Sequence, residues 1–264
     1  MLIEVYKPFF DIFYVKNSVN LNTPENWNEA VRNAKYEWIK IMHDDDWFAE
    51  ENSLRLYAEA IEQHPAAQFF FSAYQNIYFE HNRTEQMRLS FTWYSLLKKN
   101  PEVLISKNVV GPPSVTLYRK SSLLYDKTMK YVVDIDFYTS YLAHNSWVYI
   151  PQVLINVGIH ASQVTKYTFG FSEFHFNESV LMLMKKGDVY FKHPVVFDGW
   201  WRLIRNFNID SLEKFKQFNL SASQTKILNG MIKSQRLIGI GLLKNGVISK
   251  IIMFITFLRS RIYI

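Results

Sequence analysis

The chain has 264 residues, 48% of them hydrophobic, and carries a formal net charge of +6 with no cysteine. The missing cysteines exclude a disulfide scaffold, a thiolate metal site and a cysteine nucleophile. No apolar run reaches the roughly 18 residues needed to span a bilayer, and residues 1–15 lack the basic start and cleavage site of a secretory leader, so a cytoplasmic protein is expected.

The charge is unevenly spread. Residues 200–264 hold 11 Lys and Arg against 2 Asp and Glu, whereas residues 1–199 hold 19 against 22. A basic segment follows a mildly acidic body.

Residues 3–5 and 11–15 are short strand candidates, and the Asn-rich stretch 17–27 predicts a loop. A short helix is expected over 28–35, then a largely buried strand over 38–42 that runs straight into His43-Asp44-Asp45-Asp46-Trp47-Phe48. Leu54, Tyr57, Ala58 and Ile61 follow helical spacing over 50–63, before Pro65. A strand over 68–74, a polar loop over 78–88 and a helix over 91–99 come next. A Gly111-Pro112-Pro113 turn then precedes a strand over 114–118, a helix over 134–143 and a strand over 147–157. Farther on the pattern is helical, over 172–185, 194–207, 211–218, 223–243 and 249–258.

Alternating strands and helices predict an α/β fold with a mostly parallel sheet flanked by helices, followed by a helical, basic C-terminal region. The expected division is residues 1–170 and 171–264.

Ligands of open α/β sheets bind beyond the carboxyl ends of strands, and Asp44, Asp45 and Asp46 stand at such an end. Adjacent carboxylates repel, and a hard cation such as Mg²⁺ or Mn²⁺ would offset this. In an extended segment Asp44 and Asp46 can face the same way. Equally, the acidic run can cap the helix that follows it. Asp134 and Asp136 open a second helix candidate and pose the same choice, between a general base and a cap. His160 closes a strand and could reach a metal or a phosphate, or simply pack. The other histidines, His43 among them, show no metal-site spacing.

Several segments taken in order resemble the inverting nucleotide-sugar glycosyltransferases of family 2, which have the GT-A fold. These are Asn26-Trp27-Asn28-Glu29-Ala30 with Asn33-Ala34-Lys35-Tyr36-Glu37-Trp38-Ile39; Met42 to Phe48, like the family's DxD segment; Gly111-Pro112-Pro113-Ser114 with Tyr118-Arg119-Lys120; Val133-Asp134-Ile135-Asp136-Phe137; and Ile150-Pro151-Gln152-Val153-Leu154 with His160. The resemblance covers about residues 14–165. Two departures stand out: Val133 replaces the usual Glu, and residues 1–13 do not resemble the family's opening strand, so the nucleotide-binding half is expected to be short.

The resemblance implies metal-dependent transfer, with inversion, from a nucleoside diphosphate sugar to an acceptor hydroxyl, in cell-surface polysaccharide or glycolipid synthesis. It implies Asp46 as a ligand of Mn²⁺ or Mg²⁺, with Asp44 at the nucleotide ribose or the metal, Asp45 on the donor side and His160 near metal and diphosphate. Asp134 would be the base, and Ser114 and Asp136 would lie on the acceptor side. A UDP-sugar donor and a glycan or lipid-linked acceptor follow from the same resemblance. The alternative is a catalytically inactive binding or assembly subunit. Basic and apolar residues interleave over 244–264, as in helices that lie on anionic membranes, so peripheral contact with the inner face of the cell membrane is expected. The chain has no zinc-finger spacing or RNP-like strand, and nucleic acid is not an expected partner.

Overall fold

The computed structural model describes residues 2–160 and 173–263. Its body is one mixed sheet. In space the strands run β1 (Trp38–Ile39), β5 (Thr116–Arg119), β3 (Phe69–Tyr78), β6 (Trp147–Ile159) and β2 (Asp46–Phe48), with β4 (Arg83–Met87) paired to β3. The spine is the parallel pair β3 and β6, which runs from Phe69 opposite Trp147 to Tyr78 opposite Ile159 with register shifts on either side of Ala73.

Every other pairing is antiparallel, which corrects the mostly parallel sheet expected from the sequence. The reason is geometric. β1, β3 and β6 share one direction, as alternation with helices requires. β5 inserts against that direction between β1 and β3, and β2 folds back along β6.

Helices α1 (Leu2–Tyr6), α2 (Asn22–Asn33), α3 (Ser53–Gln63), α4 (Phe91–Lys99) and α5 (Val133–Leu142) accompany the sheet. The stretch 3–5 is therefore helical, and 11–15 forms no strand. α2 begins inside the expected loop. Pro24 sits in its first turn, where a missing N–H costs nothing. Asn28 is buried because its amide exchanges two hydrogen bonds of 2.8 Å with the Tyr125 backbone. The expected loop over 78–88 contains β4, an edge strand whose first four residues are polar and exposed and which has no apolar alternation to betray it.

The C-terminal helices are α6 (Glu173–Lys186), α7 (Pro194–Asn206), α8 (Ala222–Ile238), α9 (Ile240–Leu243) and α10 (Gly246–Ser260). The first residue of the expected helix 172–185 and the expected boundary at 170/171 lie outside the described residues. Gly239, at φ +83°, separates α8 from α9 where one helix was expected. Residues 211–218 hold only the 3₁₀ turn Glu213–Phe215.

These helices enclose a second apolar core around Phe191, Phe197, Trp200, Trp201 and Met231, all fully buried. α6 joins the two cores. Its Met182 packs into the core of the sheet, while Phe176, Val180 and Leu183 belong to the helical core.

α6 also supplies the cap that α5 lacks locally. The side chain of Val132 offers no acceptor. Instead the buried Glu178 carboxylate accepts from the N–H groups of Lys130 (2.8 Å), Tyr131 (2.6 Å) and Val132 (3.0 Å). Negative charge at a helix N-terminus is favoured by the unsatisfied N–H groups and the helix dipole. Glu178→Ala should lower stability by about 2 kcal/mol, as three backbone donors, one of them buried, lose a charged acceptor, and Glu178→Gln by less. Urea unfolding followed by tryptophan fluorescence measures both; equal stability of the alanine variant would remove Glu178 from this role.

Candidate active site

The acidic run does not cap a helix. The next helix, α3, starts at Ser53, and Asp46 instead begins β2 opposite Val157 of β6. A turn closed by the Asp46 N–H on the His43 carbonyl (3.3 Å) precedes it. Gly158 holds the run in place. Its N–H donates to the Asp45 carbonyl (3.1 Å) and to Asp46 Oδ1 (3.3 Å). A Cβ at this position would fall 2.3 Å from the Asp45 carbonyl oxygen, so only glycine permits the approach.

The turn swings His43 over Asp46, with Nδ1 3.5 Å from Oδ2. The imidazole stacks on Trp27 of α2 at 5.2 Å and 11°, and the His43 N–H donates to Ser114 Oγ (3.0 Å). Ligand atoms of His43, Asp45 and Asp46 lie within 4.8 Å of one another. His160 Nε2 stands 3.3 Å from Asp45 Oδ2.

Asp46 Oδ2 is buried and has no hydrogen-bond partner. Buried polar atoms are ordinarily satisfied, so this oxygen, with the His43 imidazole and an Asp45 carboxylate oxygen close by, fits a divalent cation. Two carboxylates and an imidazole suit a hard to intermediate ion. Lys40 approaches from below, bonded to the Ser114 carbonyl and lying over the Tyr57 ring at 5.1 Å. Burial pulls its ammonium down to about 7, against the opposing attraction of Asp46.

Asp134 lies in the first turn of α5 and is half-buried. Its Oδ2 accepts from Asn108 Nδ2 (2.8 Å) and its Oδ1 from the Ile135 N–H (2.8 Å). Asn108 is fixed in turn, since its Oδ1 accepts from the N–H groups of Val110 and Gly111. Burial raises the Asp134 carboxyl to about 6, opposed by backbone hydrogen bonds, by the nearby His43 and by Asn108. The loop that holds Asp134 also leads to His43: Asn108, which donates to Asp134, donates as well to the Gly111 carbonyl (3.3 Å), and Ser114, three residues on, accepts from the His43 N–H.

The remaining expected residues are placed as follows. Asp44 is exposed, and Asp45 rather than Asp44 stands with Asp46 in the cluster. Ser114 is fully buried beneath His43. Asp136 turns toward α6, where Lys185 Nζ lies 3.0 Å from its Oδ2. His43, Lys40 and Asn108 carry no motif spacing in the sequence. Only the turn from His43 to Asp46 would have singled out the first of them.

Two outcomes follow from this geometry. Gly158→Ala should displace the Asp45 backbone and weaken Mn²⁺ binding by about 10–100-fold, the range for supporting groups of a metal site. Isothermal titration reads this, and an unchanged affinity would place any bound cation elsewhere. In cation-free protein, the raised pKa of Asp134 contributes stability that is fully present below the ordinary 3.8 and is lost as pH rises through about 6. Asp134→Asn should accordingly gain stability relative to the parent across that interval. Melting curves at stepped pH would show the reverse if Asp134 were held as a structural anion.

Residues 2–124 match the sequence model of Glycosyl transferase family 2. The match includes the acidic run and Ser114, and it ends before Asp134, Asp136 and His160. No curated protein matches the chain. Among solved structures, S. aureus TarS is similar at 12% identity and TM-score 0.45, over 89% of this chain and 35% of TarS. The TarS 1-349 structure is similar at 12% identity and TM-score 0.48, over 90% of this chain and 78% of that one. Over residues 2–124, a little under half of its length, the chain is thus similar to glycosyl transferase family 2.

Proposed function

We propose that this protein transfers a sugar from a nucleoside diphosphate sugar to an acceptor hydroxyl, with inversion and with Mn²⁺ or Mg²⁺ bound at His43, Asp45 and Asp46. The observation that carries this reading is the His43, Asp45 and Asp46 cluster, tied through Ser114 and the Asn108–Gly111 loop to the elevated carboxyl of Asp134. A divalent ion held there would neutralise charge on the leaving diphosphate.

Asp134 is the base of the proposed reaction. Ionised above about pH 6, it takes the proton of the acceptor hydroxyl as that oxygen attacks the anomeric carbon. The new C–O bond forms while the bond to the diphosphate breaks on the opposite face, and the nucleoside diphosphate leaves with the electron pair. A single displacement inverts the anomeric centre. Asn108 keeps the carboxylate aimed through its 2.8 Å bond to Oδ2.

In the same proposal His160 stands on the diphosphate side through Asp45, and exposed Asp44 meets the nucleotide. Ser114 supports the acceptor side by fixing the His43 backbone. A UDP-hexose donor and a glycan or lipid-linked acceptor, in cell-surface polysaccharide or glycolipid synthesis, complete the reading. Asp134→Asn should lower kcat by about 10²–10⁴-fold, the range of a general base, with little change in donor KM. Asp46→Asn should abolish the Mn²⁺ dependence of donor binding. Release of nucleoside diphosphate measures the first and calorimetry the second. Donor binding without turnover in the parent would instead identify an inactive binding subunit.

A further inference from the structure

α10 has its polarity reversed. The face packed on the protein carries Ser249, Met253, Thr256, Phe257 and Ser260, all buried. The three hydroxyls among them are satisfied internally. Ser249 Oγ accepts from Trp201 Nε1 (3.0 Å), Thr256 Oγ1 donates to the Ile252 carbonyl (2.8 Å), and Ser260 Oγ donates to the Phe257 carbonyl (2.7 Å).

The outward face is the apolar one. Val247, Ile251, Phe254 and Leu258 form a stripe at helical spacing with exposures of 70, 55, 50 and 54%, and Ile262 extends it at 79%. A surface helix in water normally shows the opposite arrangement, and a continuous exposed apolar stripe of this kind marks a contact surface.

Charge identifies the partner. From residue 214 to the last residue there are nine Lys and Arg and no Asp or Glu. Lys244, Arg259 and Arg261 are exposed beside the stripe, as is Lys250, whose ammonium pairs with Asp198 of α7 (2.6 Å). Lys250 also borders a groove of about 520 Å³ between α10, α7 and α4, whose walls include Trp93, Lys107, Asp198 and Arg202. A second copy laid symmetrically on this face would set cations against cations. Among the described residues no helix is long and apolar enough to cross a membrane. At 15 residues, α10 is shorter than the roughly 20 that a span needs.

We infer that the outward face of α10 lies in the surface of an anionic phospholipid bilayer. Its apolar stripe enters the acyl boundary, and the flanking Lys and Arg side chains meet headgroup phosphates. This contact does not depend on the proposed transfer reaction.

Co-sedimentation of the full chain with vesicles tests it, using phosphatidylglycerol mixed with phosphatidylcholine against phosphatidylcholine alone. Partitioning to the anionic vesicles at low salt is expected. The double variant Ile251→Asp, Phe254→Asp should reduce it by about tenfold or more. Ile251→Ser, Phe254→Ser, which adds no charge, should also reduce it, with an unchanged circular dichroism spectrum. Absence of the parent from the anionic vesicle pellet overturns the inference, as does parent-like partitioning of both variants. A dimer seen by sedimentation velocity and lost in the variants, with no vesicle binding, would show that a second copy covers this face instead.

Discussion

The candidate site depends on one close backbone approach, that of Gly158 in β6 to Asp45 at the start of β2. Three like charges in sequence repel one another and would leave the core side of the sheet if they could. They are held because β2 is pinned to β6, the longest strand of the spine, by ladder pairing that begins at Asp46 opposite Val157. The turn that places His43 over Asp46 is set just before this ladder. Cluster, turn and imidazole orientation thus share one origin in long-range strand pairing.

Burial then acts on the groups around this turn. Lys40, buried over the Tyr57 ring, has its ammonium pulled down to about 7 against the attraction of Asp46. Burial likewise lifts the Asp134 carboxyl to about 6, although an amide, backbone N–H groups and His43 all oppose the rise. A carboxyl raised in this way is the general route by which a protein obtains a proton acceptor near neutral pH.

Much of this was legible in the sequence wherever a pattern was local. The helix Phe91–Lys99 was expected with its observed bounds, and strands over 68–74 and 147–157 announced themselves by apolar density where the structure has Phe69–Tyr78 and Trp147–Ile159. β2 was not legible, because it has three residues and exists only through pairing with a segment about 110 residues away. The second half of α2 was expected as a helix over 28–35, but its first half, over 22–27, has the Asn-rich, Pro-containing composition of a loop. At the site, residue types pointed to the chemistry but not to the facing. Alternation along an extended segment set Asp44 with Asp46, whereas the turn at His43 sets Asp45 there. His43 lacked any motif because its importance comes from Trp27, Ser114 and Asp134, none adjacent in sequence.

The carboxylate of Glu178 has a consequence for how this chain can be cut or recombined. It belongs to α6, yet it ties down the three backbone N–H groups that lead into the helix carrying Asp134. An expression product ending near residue 160 would keep the whole sheet but leave the entrance of that helix without its charged acceptor. Swapping the helical portion for one from another protein would have the same effect unless the graft carried an acid at the equivalent place. The sheet and the helices are thus distinct in architecture but not interchangeable as parts.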